Sequence, residues 1–287
     1  LLCAHHASAQ LQDPDNAVEL SHDYDESQKR LDFYADNKDF CDYYLSIFFF
    51  NTEGFEGISS GTPLTVGPGR RQVATYRVRE GATRLSYNYR YVMYRGNSRK
   101  KPNIDFTYAL PVAVSSAVTA AVAENTDGYR LDFSLPSDTA YACRGGVACD
   151  DNLKDVTLKG HKRFGSDRSM SQVTLYHADG SFGEYAFRGT PLVYPGQSVK
   201  MGAPIAVVAK TDRYLLRFAA YFLDKNKLKQ DNGNKHTHFR PFFQTLNEGK
   251  TRLSSGATYF CERTDEMLMQ EMSRREKKNF LKNKEQK

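Results

Sequence analysis

Lys235-His-Thr-His-Phe239 is the one place in this chain where two histidines stand two positions apart. On a strand that spacing puts both imidazoles on one face. Two imidazoles and a carboxylate are the donor set of a catalytic zinc, which takes about three protein ligands and keeps a position open for water. The metal lowers the pKa of that water and polarises a carbonyl, while a neighbouring base handles protons. Asp132 would supply the carboxylate to His236 and His238, with His177 as a further candidate. His177 lies in Tyr176-His-Ala-Asp-Gly180, flanking a turn, where a histidine also serves a purely structural purpose. His5, His6 and His161 are isolated. The chain has no His-Glu-x-x-His and no Gly-x-x-x-x-Gly-Lys-Ser/Thr phosphate loop. No spacing brings a cysteine to a histidine for nucleophilic catalysis, and no Cys-x-x-Cys marks a metal or redox site.

The elements that must position these groups are strands. Eighteen Tyr and eighteen Phe, without a Trp, accompany short apolar runs rather than one long block, which is strand composition. Tyr43–Phe50, Thr62–Val66, Arg71–Val78 and Thr83–Tyr94 read as strands, with a turn at Val66-Gly-Pro-Gly-Arg70. Ser86-Tyr-Asn-Tyr-Arg-Tyr-Val-Met-Tyr94 alternates and puts Tyr87, Tyr89, Tyr91 and Met93 on one face. That row is either a half-buried cross-strand ladder or a sugar-stacking surface. The expected organisation is a polar, loosely ordered N-terminal segment (1–29), an immunoglobulin-like β-sandwich (30–95) and a Gly/Pro-bearing linker (96–105). A second β domain (106–261) and a basic C-terminal helix (262–287) follow. The fold class is all-β.

The second domain carries a resemblance. Gly128-Tyr-Arg-Leu-Asp132-Phe133 precedes a Pro-x-x-Thr-like turn; Tyr185-Ala-Phe187 follows; then comes Gly196-Gln-Ser-Val-Lys-Met-Gly-Ala-Pro-Ile205, expected as a tight hairpin; and Leu215-Leu-Arg-Phe218 closes the set. In order and spacing this resembles the lysostaphin/LytM-type zinc endopeptidases, which cut cell-wall cross-links. The resemblance implies a ligand His at Gly128, a ligand Asp at Asp132, a catalytic His at Phe187, and a His-x-His pair at Leu215 and Arg217. Only Asp132 keeps the family's chemistry. Glycine, leucine and phenylalanine offer no donor to zinc, and a cationic Arg217 repels it. The resemblance therefore implies an emptied site without catalytic residues, metal or cofactor. Arg217 is expected to pair with Asp132, in a groove that also holds Tyr185 and His177 and binds peptidoglycan peptide or a partner hydrolase. The alternative is an active, divergent zinc peptidase using Asp132, His236 and His238.

The remaining features bear on location. Leu1-Leu-Cys-Ala-His-His-Ala-Ser-Ala-Gln10 has the small-x-small ending of a signal peptide, so an exported protein of the periplasm or envelope is expected. Apart from Cys3 there are Cys41, Cys143, Cys149 and Cys261, which permit three pairings. Cys143 could face Cys149 across a hairpin, leaving Cys41 for Cys261, or all four could be buried thiols. No apolar run approaches the roughly 20 residues that span a bilayer. The net charge of +6 is concentrated in residues 273–287, which hold seven cations and two anions. That tail lacks the interleaved aromatics of a single-strand binder, so no nucleic-acid partner is expected.

Overall fold

Alternation of apolar and polar side chains runs through most of the chain, and in the computed structural model nearly all of it becomes strand. The structure describes residues 16–125, 128–152, 170–231 and 233–285. The chain divides into two units. The first comprises residues 1–100 together with 149–164 and 223–235; the second comprises 101–148, 165–222 and 236–287. The two short excursions lie within what the sequence suggests is one continuous second domain.

In the first unit seven strands follow in order: β1 (Val18–Asp25), β2 (Arg30–Asn37), β3 (Tyr43–Glu53), β4 (Phe55–Glu56), β5 (Pro63–Val66), β6 (Gly69–Val78) and β7 (Ser86–Arg95). They form two antiparallel sheets, ordered β1-β2-β6-β4 and β5-β3-β7. Phe33 of β2 joins them, with its ring 5.3 Å from Phe49, 5.2 Å from Tyr89 and 6.0 Å from Tyr76. Tyr87, Tyr89, Tyr91 and Met93 do share a face, and that face is buried. The tyrosine row is thus the filling of a sandwich and not a sugar platform, because rings of this size exclude water best between two sheets. In an immunoglobulin constant domain the fifth strand lies beside the second; here β6 takes that place. Residues 18–25, expected to be loose, form β1 because Val18 and Leu20 alternate inward and pair along the whole of β2. Residues 1–15, with the signal-like ending, Cys3, His5 and His6, lie outside the described residues, as does His161.

The second unit begins with β8 (Thr107–Tyr108), β9 (Ala117–Asn125), β10 (Gly128–Leu135), β11 (Thr139–Tyr141) and β12 (Gly146–Ala148). It continues through β13 (Ser171–Tyr176), β14 (Ser181–Phe187), β15 (Gly189–Pro191), β16 (Ser198–Val199), β17 (Pro204–Val208) and β18 (Tyr214–Leu223). Then come β19 (His236–Phe239), β20 (Phe242–Thr245), β21 (Gly249–Thr251) and β22 (Thr258–Phe260), and two helices, α1 (Asp265–Met269) and α2 (Arg274–Glu285). A nine-stranded sheet runs β16-β12-β13-β14-β18-β10-β9-β22, with β19 also paired to β18. Two three-stranded sheets, β11-β17-β15 and β21-β20-β8, accompany it. The core packs on one face of the large sheet: Leu131 and Phe133 of β10, Tyr185 and Phe187 of β14, and Leu216 and Phe218 of β18.

The Gly-Gln-Ser-Val-Lys run is not a hairpin. Its first strand, β16, pairs with β12 of the large sheet, and β17 pairs with β11 and β15 of another. Gly196 and Gly202, both at positive φ, turn the chain at either side of β16, which side-chain-bearing residues rarely allow. Among the described residues no helix is long and apolar enough to cross a membrane.

Candidate functional site

Residues one apart on a strand face opposite ways, so the other face of the large sheet is read directly from the register. Asp132 of β10 lies opposite Arg217 of β18, and Arg217 lies opposite Ala186 of β14. Gly128 and Arg130 share this face. The positions aligned to the family's ligand aspartate and to its second strand histidine are therefore cross-strand neighbours. What they carry is a carboxylate and a guanidinium, each with another partner. The Asp132 carboxylate accepts hydrogen bonds from Arg130, at 2.8 Å from Nε and 3.4 Å from Nη2. Arg217 points Nη1 at the sulfur of Met170, 3.2 Å away, and its buried Nε has no hydrogen-bond partner among the described residues. The expected Asp132–Arg217 ion pair gives way to one within β10, since the i and i+2 side chains already stand side by side on that face.

Gly128 is the position at which the sequence resemblance implies a first ligand histidine. Its φ is +142°, and a Cβ built there would fall 2.5 Å from Cγ and Nδ1 of His238. The imidazole of His238 thus takes the space that a side chain at 128 would need. His236 and His238 both contact Tyr221, each with ring centroids 5.3 Å away, so they do share a face of β19. Tyr221 stacks on Phe182 at 5.2 Å, and Phe182 leans on Tyr176 at 4.9 Å. The result is an aromatic strip ending in two imidazoles. Asp132, His236 and His238 are not gathered into a ligand trio. Among the described residues the one group of three that brings its donor atoms within 4.8 Å of one another is Asp39, Cys41 and Cys149.

Two residues expected in a groove, Tyr185 and His177, prove to be interior, as does Phe187. Tyr185 and Phe187 point from β14 into the core and are fully buried. Alternation sets Phe187 opposite Leu216, on the reverse side from Arg217. The Tyr185 hydroxyl accepts the backbone N–H of Cys143 at 2.8 Å. His177 is fully buried as well, with Nδ1 2.7 Å from the Gly145 carbonyl. That carbonyl is an acceptor only, so Nδ1 carries the proton and Nε2 is a bare lone pair, buried and without a partner among the described residues. Burial, followed by the nearby Arg144 guanidinium, lowers its pKa to about 3. Arg144 is itself 2% exposed. It pairs with Asp179 at 3.0 Å and Glu271 at 2.6 Å, donates to Ser181 at 3.2 Å, and lies 3.8 Å over the Phe106 ring. His177 and Arg144 are buried polar groups.

Sequence reading passed over Gly57-Ile-Ser-Ser-Gly61, which has the spacing of a nucleophile elbow. It lies between β4 and β5 with no helix after it, and the Ser59 hydroxyl bonds to Thr62. An elbow needs a strand–turn–helix that holds the serine out, so this match is a loop. The Asp39–Cys41–Cys149 cluster was also missed, because nothing local links Cys149 to β3.

No protein-family model matches the chain, and no curated protein matches it. Among solved structures it is similar to Helicobacter pylori Csd3, with 10% identity and a TM-score of 0.28, over 93% of this chain and 81% of that one. A superposition that loose transfers neither a residue nor an activity.

Proposed function

We propose that this is an exported cell-envelope protein whose second unit keeps the strand scaffold of a lysostaphin/LytM-type peptidase but not its zinc chemistry. Its work is binding: a peptidoglycan peptide, or a hydrolase that it positions. The observation that supports this most is the register, with Asp132 directly across from Arg217. Two motifs aligned from sequence alone meet in space, as a common scaffold requires, while the groups they bring are an engaged carboxylate and a guanidinium. The residues at the family's ligand positions do not fit zinc. An N–H of Arg217 that has no partner among the described residues, on the same sheet face as Asp132, suits a peptide carbonyl or carboxylate.

The test is co-sedimentation of the full chain with purified wall sacculi, alongside zinc analysis after zinc exposure and dialysis. The wild-type protein is expected to sediment without stoichiometric zinc, and Arg217→Glu to weaken binding about tenfold. One equivalent of zinc, lost when His236 and His238 are both changed, together with release of wall peptides, would make the protein a divergent zinc peptidase instead.

A further inference from the structure

Cys41 and Cys149 are far apart in the sequence, and both belong to the first unit. Cys41 precedes β3; Cys149 is the first residue of an excursion that returns to that unit. Their sulfurs and an Asp39 carboxylate oxygen all lie within 4.8 Å of one another, and all three residues are buried. Burial, followed by the contact with Cys149, pushes the Cys41 thiol well above its usual range.

Two chemistries suit such a cluster: a soft metal ion or a disulfide. The carboxylate decides between them. Asp39 Oδ1 accepts the backbone N–H of Phe40 at 2.7 Å and of Asp150 at 2.8 Å. Oδ2 accepts the Cys41 thiol at 3.3 Å, the Tyr43 hydroxyl at 3.1 Å and Nη2 of Arg95 at 2.9 Å. Every acceptor position is taken, and a guanidinium already neutralises the charge. A metal cation would have to displace these donors and sit beside Arg95. A disulfide is neutral, needs no ligand from Asp39 and removes only the Cys41 thiol from the donors on that carboxylate.

The same network sets the geometry. Arg95 also donates to the Asp150 carbonyl at 2.9 Å and pairs with Asp151 at 3.0 Å. Residues next to Cys149 are thus fastened to Asp39, just before β3, and to Arg95, at the end of β7, while Cys41 is two positions from Asp39. The sulfurs lie within 4.8 Å, and an S–S bond requires them to close to about 2.05 Å.

We propose that Cys41 and Cys149 form a structural disulfide when the protein folds in an oxidising compartment. The oxidant is a disulfide, R–S–S–R. One cysteine thiolate attacks it and expels RS⁻, giving a mixed disulfide; the second attacks the protein sulfur of that intermediate and expels the other RS⁻. Two electrons pass from the cysteines to the oxidant, and the two thiol protons end on two RSH. Exchange takes place before β3 is covered, and burial then shields the bond from reductants. The bond closes a loop from Cys41 to Cys149 that holds β3 to β12, which is the kind of long loop whose closure most restricts the unfolded chain.

The experiment is peptide mapping of the full chain, refolded with oxidised glutathione and then blocked with N-ethylmaleimide in denaturant without reductant. The expected product is a Cys41 peptide linked to a Cys149 peptide, two hydrogens lighter than their sum. It should persist in the Cys143→Ser, Cys261→Ser double variant, and reduction should lower Tm by about 5–10 °C. Complete alkylation of Cys41 and Cys149, a Cys143–Cys149 or Cys41–Cys261 product, or a zinc equivalent that is lost in Cys41→Ala would each overturn the proposal. None of these depends on whether the protein binds wall peptide.

Discussion

Arg144 and Arg217 each carry a guanidinium into the second unit, and the fold treats them differently. Arg144 lies among Asp179, Glu271, Ser181 and the Phe106 ring, so its charge and its donors are met from several directions. Arg217 lies on the other face of the large sheet, bonded to a thioether, with a buried N–H left over. Its cross-strand neighbour Asp132 is already held by Arg130. A buried group with all its partners serves the scaffold, because changing it breaks a network. A buried donor without one is costly to keep, and in a native protein it calls for a ligand or a functional reason.

This contrast can be broken most severely at Arg144. Replacing it by Met leaves Asp179 and the half-buried Glu271 without their cation and should cost about 3–5 kcal/mol in urea unfolding. Arg144→Lys should recover only part, since an ammonium lacks the fork that reaches several acceptors at once. A small loss in Arg144→Met would mean the cluster is not a scaffold element.

Acid sharpens the comparison next. His177 binds a proton in the unfolded chain at its ordinary pKa of 6.5 but not in the folded one until about pH 3. In that window the unfolded state holds the extra proton. Stability therefore falls as pH drops, by about 1.4 kcal/mol per unit, and is fully present above the unfolded pKa. Chemical denaturation between about pH 6.5 and 5, above the carboxylate range, should show this slope, and His177→Asn should flatten it.

The smallest effect belongs to the other face. Arg130 and Asp132 are partly solvated, and pairs of that kind contribute about 0.2–1 kcal/mol. Arg130→Ala should shift thermal unfolding very little while freeing the Asp132 carboxylate toward Arg217. A large loss would place this pair with Arg144 as scaffold.

Much of the fold was legible in local pattern. Tyr87, Tyr89, Tyr91 and Met93 share a face because backbone pleating alone sets a period of two. The same period predicted that His236 and His238 lie together, and they do, against Tyr221. The candidate site was legible only in its frame. Spacing brought Asp132 and Arg217 into register but could not choose a partner for either, since Arg130 stands on the same face of the same strand. Tyr185 and His177 look like polar groups awaiting a ligand in sequence; burial and the atoms of Cys143 and Gly145 decide otherwise.

From the sequence by itself come the all-β class, the alternating faces and the non-ligating residue types at 128, 187, 215 and 217. Residue type and strand period act over a few positions and need no knowledge of the rest of the chain. Only the tertiary structure decided which face of the large sheet became core, that the Gly-Gln-Ser-Val-Lys run crosses between sheets, that the imidazole of His238 fills the space above Gly128, and that Cys41 meets Cys149. Each of these depends on strands distant in sequence closing on one another, and that closure is governed by the sum of many burials and pairings, not by any local signal.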